Sequence, residues 1–327
     1  MAVRPIFLFS MPRSGSTLVQ RVIAAHQGVA TTSEPWLLLP SIYARRSEGI
    51  VAEYPHALLG GAIDDFCEQL PGGADRYRQE LHDYVLRLYS AAAGEGATHF
   101  VDKSPPYHLV AGEIMSLFPE GRFVFLWRNP LGMLASLVET WLDGQWRPLA
   151  FRQQLFVGLP RLVSAYLANS ERAHSARFED LACGDEQAWA ALMAHLGIEF
   201  DPETLHRFAD VELHGRNGDP TGVHRYRVLS SEPAEKWRRT ISNPLRKAWC
   251  SRYLSFLGED RLATMGFDSR DLARDLGSQP TSFRSLIPDA RILAGDLVKE
   301  PVRARVRRNG IGGASAIAEL RRAGSLP

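Results

Sequence analysis

The chain has 327 residues, 45% hydrophobic and 23% charged, the composition of a globular protein large enough for one α/β domain with additions. A formal net charge of +1 gives no overall basic field to draw nucleic acid or an anionic membrane, so no nucleic-acid partner is expected and local arginines must do any anion binding. The three cysteines, Cys67, Cys183 and Cys250, lie far apart without a C-x-x-C, and the histidines have no metal-ligand spacing, which argues against a disulfide framework and a metal site and for reduced, buried thiols.

Ile6 to Phe9 is a short apolar run that reads as a strand. It ends in Met11-Pro12 and a tight polar loop, Arg13-Ser14-Gly15-Ser16-Thr17, followed by an amphipathic segment from Leu18 to His26. Strand, loop and helix in that order aim backbone N–H groups and the positive end of a helix dipole at one spot, which suits an anion. Arg13 adds a planar fork matched to phosphate or sulfate oxygens, and Ser14, Ser16 and Thr17 add hydroxyl donors. The loop lacks the first Gly and the Lys of the pattern G-x-x-x-x-G-K-[ST]. Alone, it also reads as a turn whose Ser and Thr cap the helix.

Val29 to Thr32 reads as a second strand, and Ser33-Glu34-Pro35-Trp36 opens a helical stretch with an early Pro. Residues 47–78 mix Gly, Pro and charge without period and read as loops with short helices, whereas Arg78 to Ala93 reads as a helix. His99 to Val101 is a short strand leading to Lys103, and Pro106 to Phe118 is helical. Phe123 to Trp127 is fit for a buried parallel strand. Asn129 is a suitable N-cap with Pro130 in the first turn. The helix that follows turns Leu131, Ala135, Val138 and Leu142 inward and Gly132, Ser136, Glu139 and Asp143 outward. Arg128 at the strand end and Ser136 two turns along thus reach the ligand-binding edge of an open parallel sheet. Phe151 to Ser175 reads as a long helix that Pro160 kinks or splits, Ala176 to Phe178 as the next strand, and Glu186 to Leu196 as a helix closed by Gly197. The alternation specifies an α/β fold, a P-loop-like parallel sheet flanked by helices. Residues 214–231, rich in Gly, Arg and Ser, read as a mobile loop near the ligand or as an ordinary solvated one. The expected division is a domain over 1–269 and a basic extension over 270–327, where Arg303 to Arg308 read as a solvated tail.

P-R-S-G-S-T after the first strand and R-N-P-x-x-x-x-x-S after a later one together resemble the sulfotransferases that use 3′-phosphoadenosine 5′-phosphosulfate (PAPS). The resemblance implies that Arg13, Ser14, Gly15, Ser16 and Thr17 hold the 5′-phosphosulfate and that Arg128 and Ser136 hold the 3′-phosphate. Asp102-Lys103-Ser104-Pro105 resembles the family's strand-end Lys, a cation near the transferred group. Arg177 to Leu181 resembles the family's R-Y-E-D-L, with Phe178 where Tyr is usual, so any hydroxyl contact from that position is lost. Lys236-Trp237 resembles a feature that closes over the nucleotide, and Ser230 joins it in the expected cofactor-binding set. The matches are collinear from residue 5 to residue 240.

Sulfuryl transfer needs in-line alignment, charge stabilisation and a base for the acceptor proton. Arg13 and Lys103 are the expected charge stabilisers, and no metal is expected to be required. Cytosolic members of the family carry a His two residues after the strand-end Lys, where this chain has Pro105. Protein-tyrosine sulfotransferases carry a Glu after the second strand, and Glu34 stands in the corresponding place, so the resemblance implies that Glu34 is the base. The plainer reading of Glu34 is an acid in a helix's first turn. His108 is a reserve base that otherwise reads as a surface helix residue. Trp36, Tyr43, Tyr54, Trp141 and Trp146 read as core aromatics or as the lining of an acceptor pocket. A P-loop kinase or NTPase, with Asp102 as a metal ligand, and a non-catalytic nucleotide-binding protein are the alternatives. The acceptor is expected to be a hydroxyl compound of unspecified class. No signal peptide is visible and no apolar run approaches the ~18 residues of a membrane span, so a bacterial cytoplasmic protein is expected, with homo-oligomerisation open.

Overall fold

The computed structural model describes residues 2–46, 50, 52–215, 218 and 227–295. Among them, five parallel strands form one sheet: β1 (Arg4–Ser10), β2 (Val29–Thr31), β3 (His99–Asp102), β4 (Arg122–Trp127) and β5 (Ala173–Arg177), in the order β2-β3-β1-β4-β5. The register is continuous across the centre, where Phe7 of β1 stands between Asp102 of β3 and Phe123 of β4. Successive side chains alternate between two faces. Phe7, Phe9, Phe100, Phe123, Phe125 and Trp127 pack into one core, and Ile6, Leu8, Val101, Val124 and Leu126 into the other. Burial on both faces is why these strands read as unbroken apolar runs.

Helices α1 (Ser16–Ala24), α2 (Leu38–Tyr43), α3 (His56–Glu68), α4 (Gly73–Ala93), α5 (Ala111–Leu117), α6 (Pro130–Leu142), α7 (Leu159–Leu167), α8 (Phe178–Ala182), α9 (Glu186–Leu196) and α10 (Thr204–Arg207) lie between or after the strands. They are followed by α11 (Glu232–Glu235), α12 (Trp237–Thr240), α13 (Pro244–Thr264, broken at Gly258) and α14 (Ser269–Ser278). Residues 47–78, read as loops with short helices, contain the 13-residue α3, which buries little beyond Cys67 and so carries no clear amphipathic period, and the start of α4. The long helix expected to Ser175 ends at Leu167. Pro160 falls in the first turn of α7, after a π-helical turn over Gln153–Gly158, and β5 begins at Ala173. Pro106 to Phe118 divides into a 3-10 turn, Pro105–Leu109, and α5.

The boundary expected after residue 269 falls within α14, whose Leu272 and Leu276 are buried in the first core. The basic run from Arg303 to Arg308 and most of the 214–231 loop lie outside the described residues. Cys67 and Cys250 are buried free thiols, but Cys183 is exposed rather than buried. No helix among the described residues is long and apolar enough to cross a membrane.

Candidate active site

The carboxyl ends of all five strands converge, with β1 at the point where the strand order reverses, the usual ligand position in such sheets. β1 runs into the loop that carries Arg13 at φ 65° and Gly15 at φ 84°. Gly15 has two reasons to be glycine: its left-handed backbone, and the Phe178 ring, which a Cβ would approach to 2.2 Å. Gly15→Ala is therefore expected to cost about 1 kcal/mol of backbone strain and a further ~1–3 kcal/mol of overpacking. A lower midpoint in thermal melts checks this; an unchanged one would mean that the ring moves freely.

Arg13 Nε donates to Ser136 Oγ at 3.2 Å, joining the first loop to α6. Arg128 at the end of β4 donates from Nη1 to the Arg13 carbonyl at 2.7 Å and from Nη2 to the Pro233 carbonyl. Its guanidinium carbon lies 4.7 Å from the Phe178 ring centroid, a cation–π contact. Phe178 thus packs between Gly15 and Arg128. Asn129 caps α6 by accepting from the Leu131 N–H at 2.9 Å, and its own N–H donates to Glu179 Oε1 at 2.9 Å. Burial pushes the Glu179 carboxyl up, against that hydrogen bond and the nearby Arg128.

On the other side of the loop, Lys103 is 1% exposed. Its Nζ donates to Glu34 Oε1 at 2.7 Å and to Thr17 Oγ1 at 3.4 Å. Trp36 Nε1 donates to Glu34 Oε2 at 3.2 Å, and the Trp36 N–H donates to Ser104 Oγ at 3.2 Å from a backbone at φ 53°. Both carboxylate oxygens of Glu34 are thereby held.

Asp102, beside Lys103 in sequence, is occupied differently. It accepts from Tyr89 Oη at 2.5 Å, Tyr107 Oη at 2.9 Å and Ser104 Oγ at 2.9 Å. Burial raises its pKa to about 6, and these three donors and Lys103 pull the other way. A folded-state pKa above the ordinary 3.8 means that the folded form binds the proton more tightly. This group's contribution to stability is then greatest below pH ~4 and is lost as pH rises through ~6, a swing of about 3 kcal/mol. Asp102→Asn removes the titration, so the wild-type minus variant stability in urea melts is expected to fall between pH 4 and pH 7; a flat difference would contradict it.

Two cavities meet at Arg13. One, of about 630 Å³, is lined by Arg128, Ser136, Gly132 and Glu139 and by Ser230, Lys236, Trp237 and Thr240 from the later segment. The other, of about 350 Å³, is lined by Ser16, Thr17, Glu34, Trp36, Pro105, His108 and Trp141 and by the π-helical Gln153 and Gln154. Lys236 is half exposed and pairs with Glu232 at 3.5 Å. Ser230 Oγ accepts from the Glu232 N–H at 3.1 Å just ahead of α11, while Trp237 is 1% exposed, its indole against Gly132. Of the five aromatics, Trp36 and Trp141 line the smaller cavity half exposed, Trp146 is buried core, Tyr43 lies in a separate groove and Tyr54 is at the surface. His108 is not a surface residue: it is 5% exposed, its Nδ1 lies 2.7 Å from the Pro105 carbonyl, and burial lowers its pKa. Its sequence neighbours form a 3-10 turn, so a helical-surface period does not apply. Gln153 and Gln154 had no motif to reveal them. Among the described residues, no group of three or more His, Cys, Asp or Glu is placed to hold a metal ion.

A family model described as "Sulfotransferase family" matches residues 5–202, the span that contains the loop, Glu34, Lys103, Arg128 and Ser136. The chain belongs to the sulfotransferase family. It is 34% identical over 137 residues to nodulation protein NoeE of Sinorhizobium fredii, a match covering 41% of this chain and 31% of that protein. It is 24% identical over 292 residues to protein-tyrosine sulfotransferase 2 of Gallus gallus, covering 84% of this chain and 69% of that one. The chain spans less than a third of the first two curated relatives it matches, 31% of one and 16% of the other. In fold it resembles the sulfotransferase domain from the curacin biosynthetic pathway, with a TM-score of 0.51 at 22% identity, covering 79% of this chain and 98% of that one.

Proposed function

We propose that this sulfotransferase moves a sulfuryl group from PAPS to an acceptor hydroxyl and releases adenosine 3′,5′-bisphosphate (PAP). The observation that carries the reading is the meeting of two cavities at Arg13, one beside Arg128 and Ser136 and the other beside Thr17, Glu34 and Lys103. A donor with a phosphate at each end suits a path from the first cavity past Arg13 to the loop at the edge of the second, and an acceptor suits the rest of the second. Arg128 and Ser136 hold the 3′-phosphate, with Ser230, Lys236 and Trp237 along the cleft. Gly15, Ser14, Ser16, Thr17 and Arg13 receive the 5′ end at the positive N-terminal end of α1.

In the transfer, the bond from sulfur to the bridging phosphate oxygen breaks and a bond from sulfur to the acceptor oxygen forms. Glu34 takes the acceptor proton. The bridging electrons remain on the phosphate, where Arg13 and Lys103 offset the growing charge. Lys103 also aims Glu34, holding its Oε1 at 2.7 Å.

A P-loop kinase would need its strand-end acid free for Mg²⁺. The three hydroxyls on Asp102 speak against that reading. The test is transfer of radiolabelled sulfate from PAPS to fractionated metabolites and peptides, with and without EDTA. Labelled product in both conditions is expected. Phosphate transfer from ATP that EDTA abolishes, with no sulfate transfer, would replace the proposal by the kinase reading.

A further inference from the structure

The family match ends at residue 202, yet Lys236, Trp237 and Thr240 form the outer wall of the larger cavity, facing Glu139 of α6. A carboxylate much later in the chain holds that wall. Asp289 lies within helical residues 286–295 and is 2% exposed. Its Oδ2 accepts from Arg246 Nε and from Asn243 Nδ2, each at 2.6 Å, and its Oδ1 accepts from Arg246 Nη2 at 3.0 Å. Such a fork-to-fork pair fixes orientation as well as distance.

Arg246 passes the constraint on. Its Nη1 donates to the Thr240 carbonyl at the end of α12 at 2.9 Å, and its Nη2 to the Gly144 carbonyl just beyond α6 at 3.2 Å. Its guanidinium carbon lies 5.1 Å from the ring centroid of the buried Trp146. Across the cleft, Thr240 Oγ1 donates to Glu139 Oε1 at 3.0 Å. One line of bonds therefore runs from Asp289 to both sides of the cavity. A buried ion pair adds little net stability over an apolar substitute, so its clearest effect here is on geometry.

We infer that Asp289 is a positioning residue for the nucleotide: through Arg246 it sets the spacing of α12 from α6, and with it the fit of the cavity to PAP. The inference rests on the donor reading above and makes part of the expected C-terminal extension a working part of the site.

By reciprocity of coupling, PAP must then stabilise the segment that shapes its cavity. In hydrogen exchange on the wild-type protein, PAP is expected to slow exchange over residues 279–289 as well as over 232–240. In calorimetric titrations, Asp289→Asn is expected to weaken PAP at least tenfold. Asp275→Asn, which breaks the 3.1 Å Arg238–Asp275 pair between α12 and α14, is expected to leave the dissociation constant unchanged. The exchange arm needs no variant and so stands even if Asp289→Asn fails to fold. PAP binding with no protection of 279–289, or a folded Asp289→Asn within twofold of wild type, would overturn the inference alone. Wild-type protein that binds no PAP would overturn the donor reading together with it.

Discussion

Arg128→Ala is expected to weaken PAP binding by about two orders of magnitude, close to 3 kcal/mol. The side chain has three attachments before any nucleotide is considered: the Arg13 carbonyl, the Pro233 carbonyl and the face of Phe178. They come from the first loop, from α11 and from the start of α8, so the guanidinium is held in place before the anion arrives. A preorganised cation loses little entropy on binding, which places its effect toward the upper end for a charge-assisted contact. Arg128→Lys separates charge from shape: a lysine keeps the positive end but cannot span two carbonyls and stack on a ring. It is expected to recover only part of the affinity. Calorimetric titration with PAP reads both variants, and a near-wild-type constant for Arg128→Ala would detach this residue from the 3′-phosphate.

Glu34→Gln is expected to lower turnover by 10²–10⁴-fold, the range for loss of a general base, while PAP affinity stays within about threefold. The amide oxygen can still accept from Lys103 and fill the same space, so positioning survives and proton acceptance does not. Glu34→Ala is a harsher change, because it leaves the buried Lys103 ammonium without its 2.7 Å partner. Removing one side of such a pair costs about 3–5 kcal/mol, and a fall in activity would then be confounded with a fall in stability. Single-turnover transfer of labelled sulfate by Glu34→Gln is the discriminating measurement. An unchanged rate would move the base elsewhere, first to His108, which lines the same cavity.

The sheet and the placement of Arg128 and Ser136 were legible because each depends on local chemistry. Phe123 to Trp127 could only be a strand buried on both faces, and Asn129-Pro130 could only start a helix, so Arg128 and Ser136 fell into place. The sequence also located Lys103 and Glu34, although not their mutual contact, which joins residues 69 apart. What escaped was set by tertiary packing. The left-handed backbone of Trp36 has no glycine or asparagine to announce it. The burial of His108 depends on Gly158, where a Cβ would stand 2.5 Å from the imidazole. The role of Asp289 depends on Arg246, 43 residues earlier, in a stretch without any motif.

Among the described residues, Arg13 is the one side chain common to the walls of both cavities. Everything else that surrounds the smaller one, from Trp36 and Pro105 to Trp141 and Gln154, takes no part in lining the larger. Outside the loop and Glu34, exchange of those positions changes the shape of the smaller cavity and leaves the walls of the larger one untouched. The same partition gives an engineer a short list of sites to vary, Trp36, Pro105, Trp141, Gln153 and Gln154, with the loop and Glu34 left alone.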